Sequence, residues 1–188
     1  EPNFGIRFHR TDVAGTPTVP ARCEYVGKSV LRGRQTTLGE GAGQITTIEH
    51  LMAVFHALGV DNALVEVYGG EMPALDGSAR EYVDGILRVG LREQDAERQF
   101  IALTEPVYIQ NDGGFVAAIL PSDDFRISYT LSYNGTDIED QWVSILVTPE
   151  TFIKEIAPAR TFCLKQEAEA LLAQGYGQGA NVENTLVF

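Results

Sequence analysis

A carboxylate and an imidazole stand side by side in Thr46-Thr47-Ile48-Glu49-His50-Leu51-Met52, at the start of a run with helical periodicity. Two readings of that pair are open. In one, Thr46 and Glu49 form a capping box, so that Glu49 accepts a hydrogen bond from the Thr46 amide and His50 is a surface or packing histidine. In the other, His50 binds a metal ion and Glu49 takes a proton from metal-bound water, whose pKa a divalent ion lowers from about 15.7 to about 7. A catalytic zinc centre needs about three protein ligands and an open position. The histidines are His9, His50 and His56. On a helix His50 and His56 are separated by about 600°, a net 240°, so they face different sides and do not share an ion. His9 falls in the strand-like segment Gly5 to Arg10 and reads either as a nearby ligand or as an exposed polar strand residue. From the residues alone the metal site is incomplete.

Two further segments carry reactive types. In Pro158-Ala159-Arg160-Thr161-Phe162-Cys163, Thr161 either caps the helix that follows or takes part in catalysis. Cys163 reads as a small buried hydrophobe with no histidine to activate it. The run Glu71 to Ser78 reads as a tight structural connection feeding a helix.

The elements that must position these groups follow from periodicity and turn residues. Apolar Ile48, Leu51, Met52, Phe55 and Leu58 predict an amphipathic helix beginning near Thr46 and stopped by Gly59. A strand is predicted over 62–68, and Asp76-Gly77-Ser78 offers cap chemistry for a helix over 79–89, stopped by Gly90. A polar stretch at 92–99 is the best linker. Beyond it strands are predicted over 101–109, 115–120, 126–133 and 142–147, with Asn111-Asp112-Gly113-Gly114 as a hairpin turn, and then a helix over 164–173. The helix-to-strand junctions at 59–65 and 180–187 both place an acidic residue and Asn before an apolar strand, which points to an internal duplication. The reading is therefore α+β, with a first domain over 1–92, a linker over 93–99 and a second, incomplete domain over 100–188. Both ends read as cut, and the second copy lacks a closing helix.

Composition bounds the function. The 188 residues carry 14 Lys and Arg against 26 Asp and Glu, a formal net charge of −12, so no general positive field exists to attract a nucleic acid or an anionic membrane. Hydrophobic content of 44% and charged content of 21% are those of a globular protein. Cys23 and Cys163 have no zinc-ligand or disulfide-framework spacing, which suits a reducing, cytoplasmic setting. No apolar run reaches the roughly 18 residues that a membrane-spanning helix needs.

Taken together and in order, Ile48-Glu49-His50-Leu51-Met52-Ala53, Ala57-Leu58-Gly59-Val60-Asp61-Asn62, Glu71-Met72-Pro73 with Leu75-Asp76-Gly77-Ser78-Ala79, and Ala159-Arg160-Thr161-Phe162 resemble the UDP-3-O-acyl-N-acetylglucosamine deacetylases, zinc-dependent amidases of lipid A synthesis in Gram-negative bacteria. The resemblance implies that His50 binds Zn2+, that Glu49 is the general base, that Thr161 supports the tetrahedral oxyanion and that Phe162 lines the substrate passage. It implies two domains of similar topology, each a β-sheet packed against two helices, and a nucleotide-sugar lipid precursor as substrate, whose diphosphate requires local basic groups; Arg160 reads either as one of them or as half of a structural ion pair.

The departures are specific. The family's remaining zinc ligands, in a His-x-x-x-Asp motif, and a downstream histidine acting as general acid do not occur here. His56 stands where a small residue is expected. The segment by itself is therefore predicted to lack amidase activity. A non-catalytic binding protein of the same fold, and one part of a fused bifunctional lipid-synthesis polypeptide, are the alternative readings.

Overall fold

The computed structural model describes residues 1–27, 35–110, 116–133, 135–136, 138–177 and 179–188. The fold is mixed α and β, with short helices and small sheets. Among the described residues the order is β1 (Ile6–Arg10), β2 (Val19–Pro20), β3 (Thr37–Leu38), β4 (Ile45–Thr46), α1 (Glu49–Leu58), β5 (Ala63–Val67), α2 (Arg80–Val89), β6 (Val107–Gln110), β7 (Val116–Ile119), β8 (Arg126–Leu131) and β9 (Gln141–Leu146). A short α3 (Pro149–Thr151), a π-helical turn (Phe152–Ile156), β10 (Phe162–Cys163), α4 (Lys165–Ala173) and β11 (Leu186–Val187) complete it.

Contacts gather the chain into two compact units, one made of Glu1–Ala96 with Phe152–Phe188, the other of Glu97–Thr151. The first boundary falls inside the exposed polar stretch read as a linker. The second falls at Phe152, so that the Thr161 segment shares a unit with the Glu49-His50 pair, a grouping different from the 1–92 and 100–188 division read from the sequence.

In the larger unit, β1 pairs antiparallel with β2 and parallel with β5. Alternation sends Phe8, Val65 and Val67 to one face and Leu64 and Glu66 to the other, exposed one. Helix α1 covers the apolar face: Ile48, Leu51 and Phe55 join Phe8, Val19, Leu38, Ile45, Val67 and Met72 in one core. Tyr82 and Ile86 of α2 pack against the same core. The predicted helix exists, but it starts at Glu49 rather than near Thr46 because Ile45 and Thr46 are drawn into β4, paired antiparallel with β3. Gly59 ends it in the left-handed conformation, φ 74° and ψ 32°, as the terminating glycine requires.

The predicted helices at 79–89 and 164–173 are observed as α2 and α4. Strand β11 pairs parallel with β10 across α4, as β5 pairs parallel with β1. His9 is half-buried in β1 rather than exposed, and its Nδ1 is buried without a hydrogen-bond partner among the described residues.

The smaller unit consists of two antiparallel pairs. β6 runs against β7, from Val107 opposite Ile119 to Gln110 opposite Val116; the predicted turn between them lies outside the described residues. β8 runs against β9, where Ser128 and Ser144 face each other with their hydroxyls 2.9 Å apart. Among the described residues no helix is long and apolar enough to cross a membrane.

The β1 core position sets an expectation. Phe8 is 0% exposed, so Phe8→Ala should cost about 3–5 kcal/mol of unfolding free energy in chemical denaturation. Leu64→Ala, on the exposed face of the same sheet, should cost less than about 1 kcal/mol.

Candidate functional site

The start of α1 is built by pairing outside the helix. The Thr46 amide donates to the Gly70 carbonyl at 2.9 Å, and the Met72 amide donates to the Thr46 carbonyl at 3.1 Å. These bonds tie the residue range before Glu49 to the connection beginning at Glu71. Thr47 bridges them in the left-handed region, φ 61°, which for a β-branched residue costs on the order of 1–3 kcal/mol. Its hydroxyl donates to Glu71 Oε1 at 2.8 Å, which offsets part of that strain.

This arrangement removes the capping-box reading. The Thr46 amide is already committed to Gly70, and Glu49 Oε2 instead accepts from the Thr36 amide at 3.0 Å. Ile48 occupies the N-cap without a side-chain cap bond. Glu49 and His50 are both half-buried at the first turn of α1, while His56 is exposed on a later turn.

The second part of the site is the turn Asp76-Gly77-Ser78. Asp76 Oδ1 accepts from the Ser78 amide at 2.9 Å and from the Ser78 hydroxyl at 2.7 Å. The Ser78 hydroxyl oxygen in turn accepts from the Arg80 amide at 3.1 Å, at the opening of α2, so the expected cap chemistry is present. The Ser78 hydroxyl bond is the main reason that the Asp76 carboxyl is held below its ordinary value, against the opposing effect of burial. Just upstream, the Tyr82 hydroxyl donates to the Pro73 carbonyl at 2.7 Å, and burial pushes its pKa up to about 12.

The Pro158 to Cys163 segment is bonded to this turn. The Thr161 amide donates to the Gly77 carbonyl at 2.8 Å, and the Ala79 amide donates to the Ala157 carbonyl at 2.9 Å. Arg160 Nε donates to the Asp76 carbonyl at 2.7 Å. Thr161 does not cap α4, because Leu164 is the N-cap and its amide donates to the Glu167 carboxylate at 3.0 Å. Thr161 is exposed. Phe162 is half-buried in β10, its ring edge-on to Phe188 with centroids 5.7 Å apart. Cys163, also in β10, forms no disulfide with Cys23.

The connection from Glu71 to Ser78, read from the sequence as merely structural, therefore touches both reactive segments: Glu71 and Met72 at the α1 start, Asp76 and Gly77 at the Thr161 segment. The Asp-Gly-Ser triplet was the available signal, since it demands a turn, yet its partner 84 residues away had no local mark.

As for a metal, His50 suits a single imidazole ligand, but among the described residues no group of three or more His, Cys, Asp or Glu side chains could hold an ion. The donors gathered here do not by themselves complete a zinc centre.

An α+β chain with a carboxylate-imidazole pair at a helix start, and a threonine segment bonded to a neighbouring turn, has the residue types of a hydrolytic centre. The family model for UDP-3-O-acyl N-acetylglycosamine deacetylase matches residues 1–188, and the chain belongs to that family. It is 40% identical over 185 residues to the UDP-3-O-acyl-N-acetylglucosamine deacetylase of Thermosynechococcus vestitus, covering 98% of this chain and 63% of that protein. It is 39% identical over 188 residues to the deacetylase of the same name from Chlamydia pneumoniae, covering 99% and 65%. A protein of Chlorobaculum tepidum named bifunctional enzyme LpxC/FabZ is 34% identical over 186 residues, covering 98% of this chain and 39% of that one. The chain spans between 58% and 66% of the length of the curated deacetylases it matches.

The Asp76 turn yields a pH dependence. Because the folded-state value lies below the unfolded 3.8, the carboxylate's contribution to stability is present above 3.8 and is lost as pH falls through the lower folded value. Ser78→Ala removes the main donor, so its deficit in unfolding free energy relative to the native chain should hold at neutral pH and narrow below pH 3.8 in a chemical denaturation series. A deficit that widened on acidification would contradict the assignment.

Proposed function

We propose that this chain supplies the general base, one metal ligand and the oxyanion donor of a deacetylase that hydrolyses the acetamide of UDP-3-O-acyl-N-acetylglucosamine, releasing acetate and leaving a free amine on the sugar. The observation that carries this reading is that Glu49, next to His50 at the start of α1, does not fill the capping role, its carboxylate accepting instead from the Thr36 amide, in a chain of this family. The cofactor is Zn2+, with His50 as one ligand. When bound, the ion acts as a Lewis acid and lowers the pKa of a water molecule.

Glu49 acts as general base. Its Oε2 is anchored by the Thr36 amide, and Oε1 is the atom assigned to take the proton from water. The Thr161 hydroxyl donates to the oxygen that gains negative charge as the acetamide carbonyl is attacked, an interaction worth about 3 to 4 kcal/mol for one well-placed donor. Phe162 lines the passage for the acyl chain. The partner is a nucleotide-sugar lipid precursor and the setting is cytoplasmic.

The finer fold proposal is two similar domains, 1–92 and 100–188, each a sheet packed on two helices. It is supported by the repetition of a parallel strand pair spanning a helix, β1 with β5 across α1 and β10 with β11 across α4. A second functional reading, one part of a fused lipid-synthesis polypeptide, is favoured by the likeness to the bifunctional protein of Chlorobaculum tepidum.

The test uses the polypeptide at the full length of the deacetylase relatives. Glu49→Ala should lower turnover by at least about 10²-fold to 10⁴-fold while about one zinc per chain stays bound. Loss of zinc together with activity would remove Glu49 from the base role. His50→Ala should lose the metal, measured by elemental analysis. The 188-residue segment alone is expected to release no acetate, and measured turnover by it would refute that expectation.

A further inference from the structure

We propose that Arg160 is a positioning residue that fixes the backbone of Thr161, an inference that rests on the assignment of Thr161 as the oxyanion donor. The exposed side chain of Thr161 is not held by packing around it, so the location of its hydroxyl follows from where its backbone is anchored. Two bonds anchor that backbone directly: the Thr161 amide donates to the Gly77 carbonyl at 2.8 Å, and the Thr161 carbonyl accepts from the Leu186 amide at 3.4 Å. The second is long and therefore weak. Both partners belong to segments that need not stay together.

Arg160 joins those two segments. Its Nε donates to the Asp76 carbonyl at 2.7 Å, one residue before Gly77, and a terminal guanidinium nitrogen donates to the Val182 carbonyl at 3.2 Å, on the approach to Leu186. Both acceptors are backbone oxygens, and the guanidinium charge also helps to hold the Asp76 carboxyl below its ordinary value. The side chain is half-buried, and its planar fork is suited to two carbonyls that diverge; a lysine ammonium is a single point of charge on a flexible stem. The brace works beside a contact that tolerates no slack. Gly77 has φ 82°, and a Cβ there would collide with the Asn184 carbonyl, so the turn and the segment 182–186 already lie in backbone contact. Arg160 holds that contact closed with Thr161 between its two ends.

The experiment uses full-length, zinc-loaded enzyme carrying Arg160→Ala or Arg160→Lys. Arg160→Ala should lower kcat about 10²-fold, the usual cost of a misplacement near 1 Å, with KM changed less than about twofold and zinc content unchanged. Millimolar guanidinium should restore part of the lost kcat, and Arg160→Lys should recover less than guanidinium does. Hydrogen exchange of the Thr161 amide should be at least about tenfold faster in Arg160→Ala. A raised KM with native kcat would overturn the proposal in favour of a substrate contact, and native kcat with native exchange would overturn it outright. If the unsubstituted enzyme shows no deacetylation, the proposed reaction fails, while the exchange comparison still decides whether Arg160 fixes Thr161. If Arg160→Ala does not fold, Arg160→Lys with native exchange and native kcat overturns the brace.

Discussion

Gly77 and the carbonyl of Asn184 lie so close that no Cβ fits between them, and the bonds that hold the Thr161 segment in the larger unit depend on that approach. Only a residue without a side chain can let two backbone segments meet in this way, and φ 82° at the same position adds a second reason for glycine. With the segments in contact, the Gly77 carbonyl reaches the Thr161 amide and the Asp76 carbonyl reaches Arg160. The flanking residues then serve two purposes each. Asp76 offers its carboxylate to Ser78 and its carbonyl to Arg160, while Ser78 both supports the Asp76 carboxylate and receives the first amide of α2.

The same connection reaches the other reactive pair through its opposite end. Thr46 exchanges backbone bonds with Gly70 and Met72, and Thr47 accepts an unfavourable φ to send its hydroxyl to Glu71. Glu49 and His50 therefore stand on a helix whose first turn is tethered by strand-like bonds on one side, with Thr36 bonded to the Glu49 carboxylate. The core beneath them is apolar and closed, with Ile48, Leu51 and Met72 in one cluster with Phe8. The half-buried Glu49 and His50 are thus held by backbone bonds beside the helix start and by packing beneath it.

Charge sets a further constraint. At −12 the chain offers no broad positive field for an anionic group. Arg160, next to Thr161 in sequence, donates through Nε and one terminal nitrogen to carbonyls of the protein itself.

Much of the larger unit was legible in the residues. Periodicity located α1, the Asp76-Gly77-Ser78 cap residues located α2, glycines marked the ends of α1, α2 and α4, and a strand-like run closed by Gly69-Gly70 identified β5. These signals are local, because a helix stripe or a strand alternation is written within one element. Three features were not. The start of α1 was displaced by pairing of β4 with β3, the capping box at Thr46 and Glu49 was pre-empted by the Gly70 carbonyl, and Thr161 yielded the α4 cap to Leu164 and Glu167. The residue types proposed for the site, Glu49, His50, Thr161 and Phe162, and the family to which their motifs belong, were legible in the sequence alone. Which groups those side chains and their backbones are bonded to was decided only by the tertiary structure, because a capping pattern states what a residue can bond, whereas competing partners 24 or 84 residues away decide what it does bond.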